Sequence, residues 1–277
     1  MAGSPKRFAT GFQFVEGPTF DSDGNLFVVN LKGGTISKIT PRKKVTTFVD
    51  TSGGPNGQQF DSQGHLFVCD VKHRAILQIT PDGIISQVVT EDDEGEKLAG
   101  PNDITFAEDG GYYFTDPEGS NLENAVGSVY HVDAGGNVTR IAAGLAYPNG
   151  LVVSEDGRRL YVAETMTRRI HAYALRPDGS SAAARIHAEL PEGGVGPDGM
   201  ALDVEGNLYV AYYGAGTVCV FDRWGGLKEQ IPAGGKNPTN VAFGGKNNQS
   251  LYVTETETDA VYVLKCDIPG LPTAGQV

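Results

Sequence analysis

Six short phrases in the chain set an oxygen-bearing side chain beside or close to a proline. They are Glu16-Gly17-Pro18, Pro55-Asn56-Gly57, Pro101-Asn102-Asp103, Pro148-Asn149-Gly150, Pro197-Asp198-Gly199 and Pro238-Thr239-Asn240. Glu16, Asn56, Asn102, Asn149, Asp198 and Asn240 together offer carboxylate and amide oxygens. Brought to one point, they would form a hard, oxygen-only cation site. Singly they say little, because Asn and Asp next to Pro are ordinary turn residues. Their chemistry depends on whether the fold makes all six face one another.

Other catalytic arrangements are poorly supported. No Gly-x-Ser-x-Gly elbow occurs, which argues against a serine triad. The five histidines are dispersed and none has the i, i+4 spacing of a zinc helix. Cys69, Cys219 and Cys266 form no Cys-x-x-Cys pair, and Cys69 and Cys219 sit inside apolar runs, so they read as buried small hydrophobes.

The elements that must position the six phrases follow from their repetition. Each phrase opens a short apolar strand, followed by a polar turn and a second strand such as Leu66-Phe67-Val68-Cys69 or Leu208-Tyr209-Val210-Ala211. The prolines fall at 18, 55, 101, 148, 197 and 238, a spacing of 37 to 49 residues. Two more strand-like runs complete each copy, at 35–40 and 45–49 in the first and at 75–80 and 84–89 in the second. This period, with several β-branched strands and no amphipathic helix, predicts an all-β, six-bladed β-propeller of four antiparallel strands per blade. Residues 1–277 are read as one propeller domain. The sixth copy shows three strands, so residues 7–14 are expected to supply its fourth and hide the open edge.

With strands A to D running from axis to rim, alternation puts the D-to-A and B-to-C connections on one face, here the top. All six phrases then ring the axis on that face. His73 and its neighbour Arg74, just beyond the second blade's B strand, come within reach of such a site. So does Asp116, at the end of the third blade's B strand. Glu164 and Tyr212-Tyr213 hold comparable strand-end positions. Insertions at 91–99 and 118–126 in the third blade also fall on the top face, where a lid would lie.

Composition narrows the partners. The net charge of −12 argues against nucleic acid, which needs a basic surface. The longest apolar runs are strand-sized, well short of the roughly 20 residues of a membrane helix. Lys6 and Arg7 have no apolar segment behind them, so the start does not read as a secretory signal and the cytoplasm is the expected location.

Glu16-Gly17-Pro18, Gly100-Pro101-Asn102-Asp103, Tyr113-Phe114-Thr115-Asp116-Pro117, Tyr147-Pro148-Asn149-Gly150 and Gly196-Pro197-Asp198-Gly199 stand in one order across nearly the whole chain. In this the sequence resembles the gluconolactonase/regucalcin (senescence marker protein) family of six-bladed propellers, in its bacterial gluconolactonase-like branch. The resemblance implies a metal-dependent lactonase. Glu16, Asn149 and Asp198 would hold one divalent cation, and Asp198 would double as the base. Asn102 would touch the substrate, and Asp116 and His73 are taken as further substrate contacts. Oxygen donors favour Ca²⁺, Mg²⁺ or Mn²⁺ and leave Zn²⁺ open, with calcium the first expectation. Gly100 stands where animal members have Arg, which points away from a strongly polar sugar lactone. Two other readings stand beside it: an organophosphate or aryl-ester hydrolase on the same site, and a non-enzymatic binding module with a structural metal.

Overall fold

The computed structural model describes residues 4–107 and 109–276. Its strands form six four-stranded antiparallel sheets. Blade 1 contains Val15–Phe20, Leu26–Asn30, Thr35–Ile39 and Val45–Asp50, as strands A to D. Blade 2 follows with Pro55–Phe60, Leu66–Asp70, Ala75–Ile79 and Ile85–Val89. Blade 3 has Ile104–Phe106, Tyr112–Asp116, Gly127–Val132 and Val138–Leu145, and blade 4 has Pro148–Val153, Arg159–Glu164, Arg169–Ala174 and Arg185–Glu189. Blade 5 comprises Gly196–Leu202, Leu208–Tyr213, Thr217–Phe221 and Leu227–Pro232. Blade 6 has Pro238–Gly244, Ser250–Glu255 and Ala260–Lys265, and its outer strand is Lys6–Thr10. The chain is therefore a six-bladed β-propeller, as its repeat requires.

The N-terminal strand closes the ring as expected, with Lys6 opposite Val263 and Thr10 opposite Ala260. It ends earlier than residue 14. Gly11, at φ 96°, turns the chain, and residues 11–14 carry it inward from rim to axis.

The core is divided into wedges between neighbouring blades. Ile76, Cys69, Leu98 and Phe114 fill the wedge between blades 2 and 3, while Ala163, Ile170, Val210 and Cys219 fill the one between blades 4 and 5. Face-to-face packing of two sheets through their alternating apolar side chains is what the period-2 pattern buries. All three cysteines are free and buried.

The A strands are irregular at five of the six phrases. Pairing with strand B breaks between Glu16 and Thr19, Pro55 and Gln58, Pro148 and Leu151, Pro197 and Met200, and Pro238 and Asn240. Each break is a bulge that takes the intervening residues out of the strict in–out alternation and re-aims them. Crowding at the axis explains the glycines that follow. A Cβ on Gly57 would lie 2.1 Å from Asp103 Oδ1, and one on Gly150 would lie 2.3 Å from the Asp198 carbonyl oxygen.

Candidate active site

The six phrases bring Glu16, Asn56, Asn102, Asn149, Asp198 and Asn240 to the axis, every one buried. Asp103, which was not among the expected ligands, joins them. Glu16, Asp103 and Asp198 act on one another electrostatically. Burial is the main cause that pushes the Glu16 carboxyl from 4.5 up to about 8, and the Asp103 charge adds to it. Burial likewise raises Asp103 from 3.8 to about 7. Asp198 is held well above the carboxylate range by burial, then by the charges of Glu16 and Asp103. Like charges taken out of water favour the protonated forms unless a cation joins them.

The groups that steady these carboxylates are neutral. The Gly17 N–H donates to Glu16 Oε2 at 2.7 Å, and the Ile104 N–H donates to Asp103 Oδ1 at 2.9 Å. Asn240 bonds both Glu16 and Asp103. The Asn149 amide is held between Asp198 and Thr165, whose Oγ1 accepts from Asn149 Nδ2 at 3.2 Å and donates to the Pro197 carbonyl at 2.8 Å. Gln58 donates from Nε2 to the Gly17 carbonyl at 2.8 Å, and its Oε1 is buried without a hydrogen-bond partner.

This donor set fits a hard divalent cation. It combines uncompensated buried carboxylates, amide oxygens and one orphaned amide oxygen. Among the described residues no three His, Cys, Asp or Glu side chains are spaced to hold a metal ion by themselves. A cation here would therefore depend on the asparagine oxygens as well. Below the carboxylates a cavity of about 860 Å³ follows the axis, lined by Gln58, Asp103 and Asn240 and bordered at its lower end by 271–274.

On the top side, Tyr147 stands beside the set. It is half-buried with φ 65°, takes a hydrogen bond from Asn102, and faces Asp198, Glu118 and Glu16. Burial, then those three charges, pushes its phenol up to about 12.

The remaining expected residues are tied into the frame. Asp116 accepts two backbone N–H groups, those of Ala99 at 2.7 Å and Gly100 at 2.6 Å. His73 lies against Asp70, its Nδ1 3.1 Å from Oδ1, and Arg74 donates to the Leu98 carbonyl at 2.6 Å. Neither makes a described contact with the axial carboxylates. Glu164 accepts the Ala146 N–H at 2.7 Å, and the Tyr212 hydroxyl is tied to the Pro191 carbonyl. These strand-B ends are loop clamps.

Sequence reading missed Asp103 and Thr165. The signal for Asp103 was present, since it occupies the position where three other phrases carry glycine. Thr165 had none, because its role depends on contacts with Asn149 and Pro197 across a blade boundary.

Comparison with known proteins agrees with this architecture. The sequence model of the SMP-30/gluconolactonase/LRE-like region matches residues 14–257. The chain is 30% identical over 277 residues to the diisopropyl-fluorophosphatase of Loligo vulgaris, covering 90% of this chain and 87% of that protein. It is 35% identical over 278 residues to lactonase drp35 of Staphylococcus saprophyticus, covering 92% and 84%. The structure of a gluconolactonase from Xanthomonas campestris superposes with a TM-score of 0.84 at 31% identity, covering 95% of this chain and 89% of that one.

Proposed function

The chain belongs to the SMP-30/gluconolactonase/LRE-like family and is a hydrolase of the propeller class; on that premise we propose that it opens a small lactone to its hydroxy acid. The observation that carries this reading is the axial set of Glu16, Asp103 and Asp198, three desolvated carboxylates with no cationic side chain among their principal partners. A purely structural axis would gain nothing from such mutual repulsion.

Glu16, Asn149 and Asp198 are the proposed ligands of one divalent cation, calcium first. When bound, the cation would polarise the lactone carbonyl and offset the buried negative charge. Asp198 takes a proton from the attacking water as the water oxygen adds to the carbonyl carbon. Asn102 orients the substrate through its amide, at the boundary between the axial carboxylates and Tyr147. Asn149 is kept in register by Thr165, so its amide is not free to rotate away from Asp198. The likeness to a diisopropyl-fluorophosphatase favours a second reading, hydrolysis of a phosphotriester on the same residues.

The test is a chelator-stripped protein assayed on an aliphatic lactone, an aryl ester and a phosphotriester, with Ca²⁺, Mn²⁺ or Zn²⁺ restored in turn. Lactone turnover restored by a cation, and reduced at least about 100-fold in Asp198→Asn with the fold intact, is the expected result. Turnover confined to the phosphotriester would move the assignment to the second reading. Cation binding without any turnover would leave a binding module.

A further inference from the structure

Tyr147 adopts a backbone conformation that its own sequence opposes. It precedes Pro148, and a residue before proline is pushed toward extended geometry. It is also bulky and carries Cβ, yet sits at φ 65° in the left-handed region that such residues avoid. A turn alone would be better made with glycine. The surroundings hold the strained turn firmly. The Tyr147 N–H donates to the Leu145 carbonyl at 3.2 Å and to Ser120 Oγ at 3.3 Å, and its carbonyl accepts the Thr165 N–H at 3.0 Å. Ser120 is buried and donates to the Leu145 carbonyl at 2.6 Å, so the third blade's 118–126 insertion buttresses the same turn.

The turn lifts one side chain out of a buried run. Ala146, Pro148 and Asn149 are buried, whereas Tyr147 is only half-buried. Its phenol lies beside the Asn102 side chain and within the field of the Asp198, Glu118 and Glu16 carboxyls. Blade 1 repeats the backbone device. Phe14, at φ 59°, also stands two residues before an axial residue, Glu16. That ring is covered by the Lys32 ammonium 4.9 Å from its centre, and it bears no hydroxyl.

We propose that Tyr147 is a substrate-contacting residue whose phenol donates a hydrogen bond to the ring oxygen that leaves as the lactone opens. The inference rests on the lactonase reading for the identity of that oxygen. The Asn102 side chain lies beside the phenol, and a neutral phenol keeps one O–H to donate. Asp198, Glu16 and Glu118 cannot donate when ionised, and a leaving oxygen that gathers negative charge beside them needs a donor. In the step, water adds to the carbonyl carbon and gives one proton to Asp198. The ring C–O bond then breaks with its electron pair going to the ring oxygen, which receives that proton. Tyr147 is neutral before and after.

The experiment is Tyr147→Phe, which keeps the ring and the strained turn. A melting temperature equal to that of the wild type establishes that the turn is intact. Loss of a hydrogen bond to a charged oxygen predicts kcat/KM on δ-valerolactone about 10- to 100-fold lower. On p-nitrophenyl acetate, whose leaving oxygen is weakly basic, the expected loss is less than about threefold. Equal losses on both substrates, or none on either, overturn the proposal.

Calorimetry on the calcium-loaded protein gives a readout independent of turnover. Tyr147→Phe should weaken binding of 5-hydroxypentanoate about fivefold and leave pentanoate, which lacks the hydroxyl, unchanged. Equal effects on the two acids, or no effect on either, overturn the contact. A wild type inactive on every ester and lactone would overturn the hydrolase reading instead, and the two acids would still decide the contact.

Discussion

At the scale of single residues, the third carboxylate changes how the axis has to be understood. Glu16 and Asp198 could be expected from the repeated phrases, but Asp103 makes the site a cluster of negative groups facing one another. Its carboxyl, raised to about 7 mainly by burial, is largely ionised at pH 8 and then repels Glu16 and Asp198. In Asp103→Asn the Ile104 N–H keeps an acceptor while the charge disappears. The chelator-stripped variant should therefore melt above the wild type at pH 8, by about 2–4 °C for each kcal/mol relieved. Its calcium affinity should fall about tenfold, since one nearby negative charge is gone. Melting curves with chelator and with calcium check both directions, and a variant that melts lower in chelator would show that Asp103 acts chiefly as a structural hydrogen-bond partner.

At the scale of strands and loops, one device recurs at the outer ends of the B strands. Asp70 takes the Gly54 N–H at 2.8 Å, Asp116 those of Ala99 and Gly100, Glu164 that of Ala146, and Glu255 that of Asn237 at 2.9 Å. Each binds the loop that leads into its own blade's A strand, so it sets where the axial residue begins. Burial alone would raise the Glu164 carboxyl, but hydrogen bonds from His171, Thr167 and the Ala146 N–H outweigh it and bring it down to about 2. Its folded value lies below the ordinary 4.5, so the stability it contributes is present above pH 4.5 and is lost as pH falls toward 2. Glu164→Gln should cost about 1–3 kcal/mol at pH 7. The gap between the two melting curves should close between pH 4.5 and pH 2; a gap of constant width would mean that the carboxylate charge plays no part.

At the scale of the whole molecule, a ring of sheets is only as closed as its last blade. Lys6–Thr10 pairs along Ala260–Lys265, Phe8 packs edge-on against Tyr252 with ring centres 5.0 Å apart, and Ala9 and Phe12 are buried in the same wedge. Removing residues 1–10 would bare an apolar strand edge and part of that wedge. Losing about 3–5 kcal/mol of burial and pairing would lower the melting temperature by about 10 °C. The truncated protein should also associate, which size-exclusion chromatography would detect; an unchanged, monodisperse protein would show that closure through this strand is dispensable.

The amino-acid sequence alone carries the propeller, the number of blades and the six axial positions. Strand alternation and a repeat of 37 to 49 residues are local properties, and once a ring forms, symmetry brings equivalent turns together. It determined the closing strand too, because the sixth copy lacked one. What each side chain does there depends on how the ring packs. Asp103 gains its importance from desolvation and from two carboxylates that lie 87 and 95 residues away in the chain. Thr165 matters because it bridges blades 4 and 5, and Asp116 binds its loop because two backbone N–H groups point at it. The left-handed turn at Tyr147 runs against its local preference and exists because neighbouring loops enforce it. Burial, charge proximity and strain belong to the packed ring, and no window of the sequence contains them.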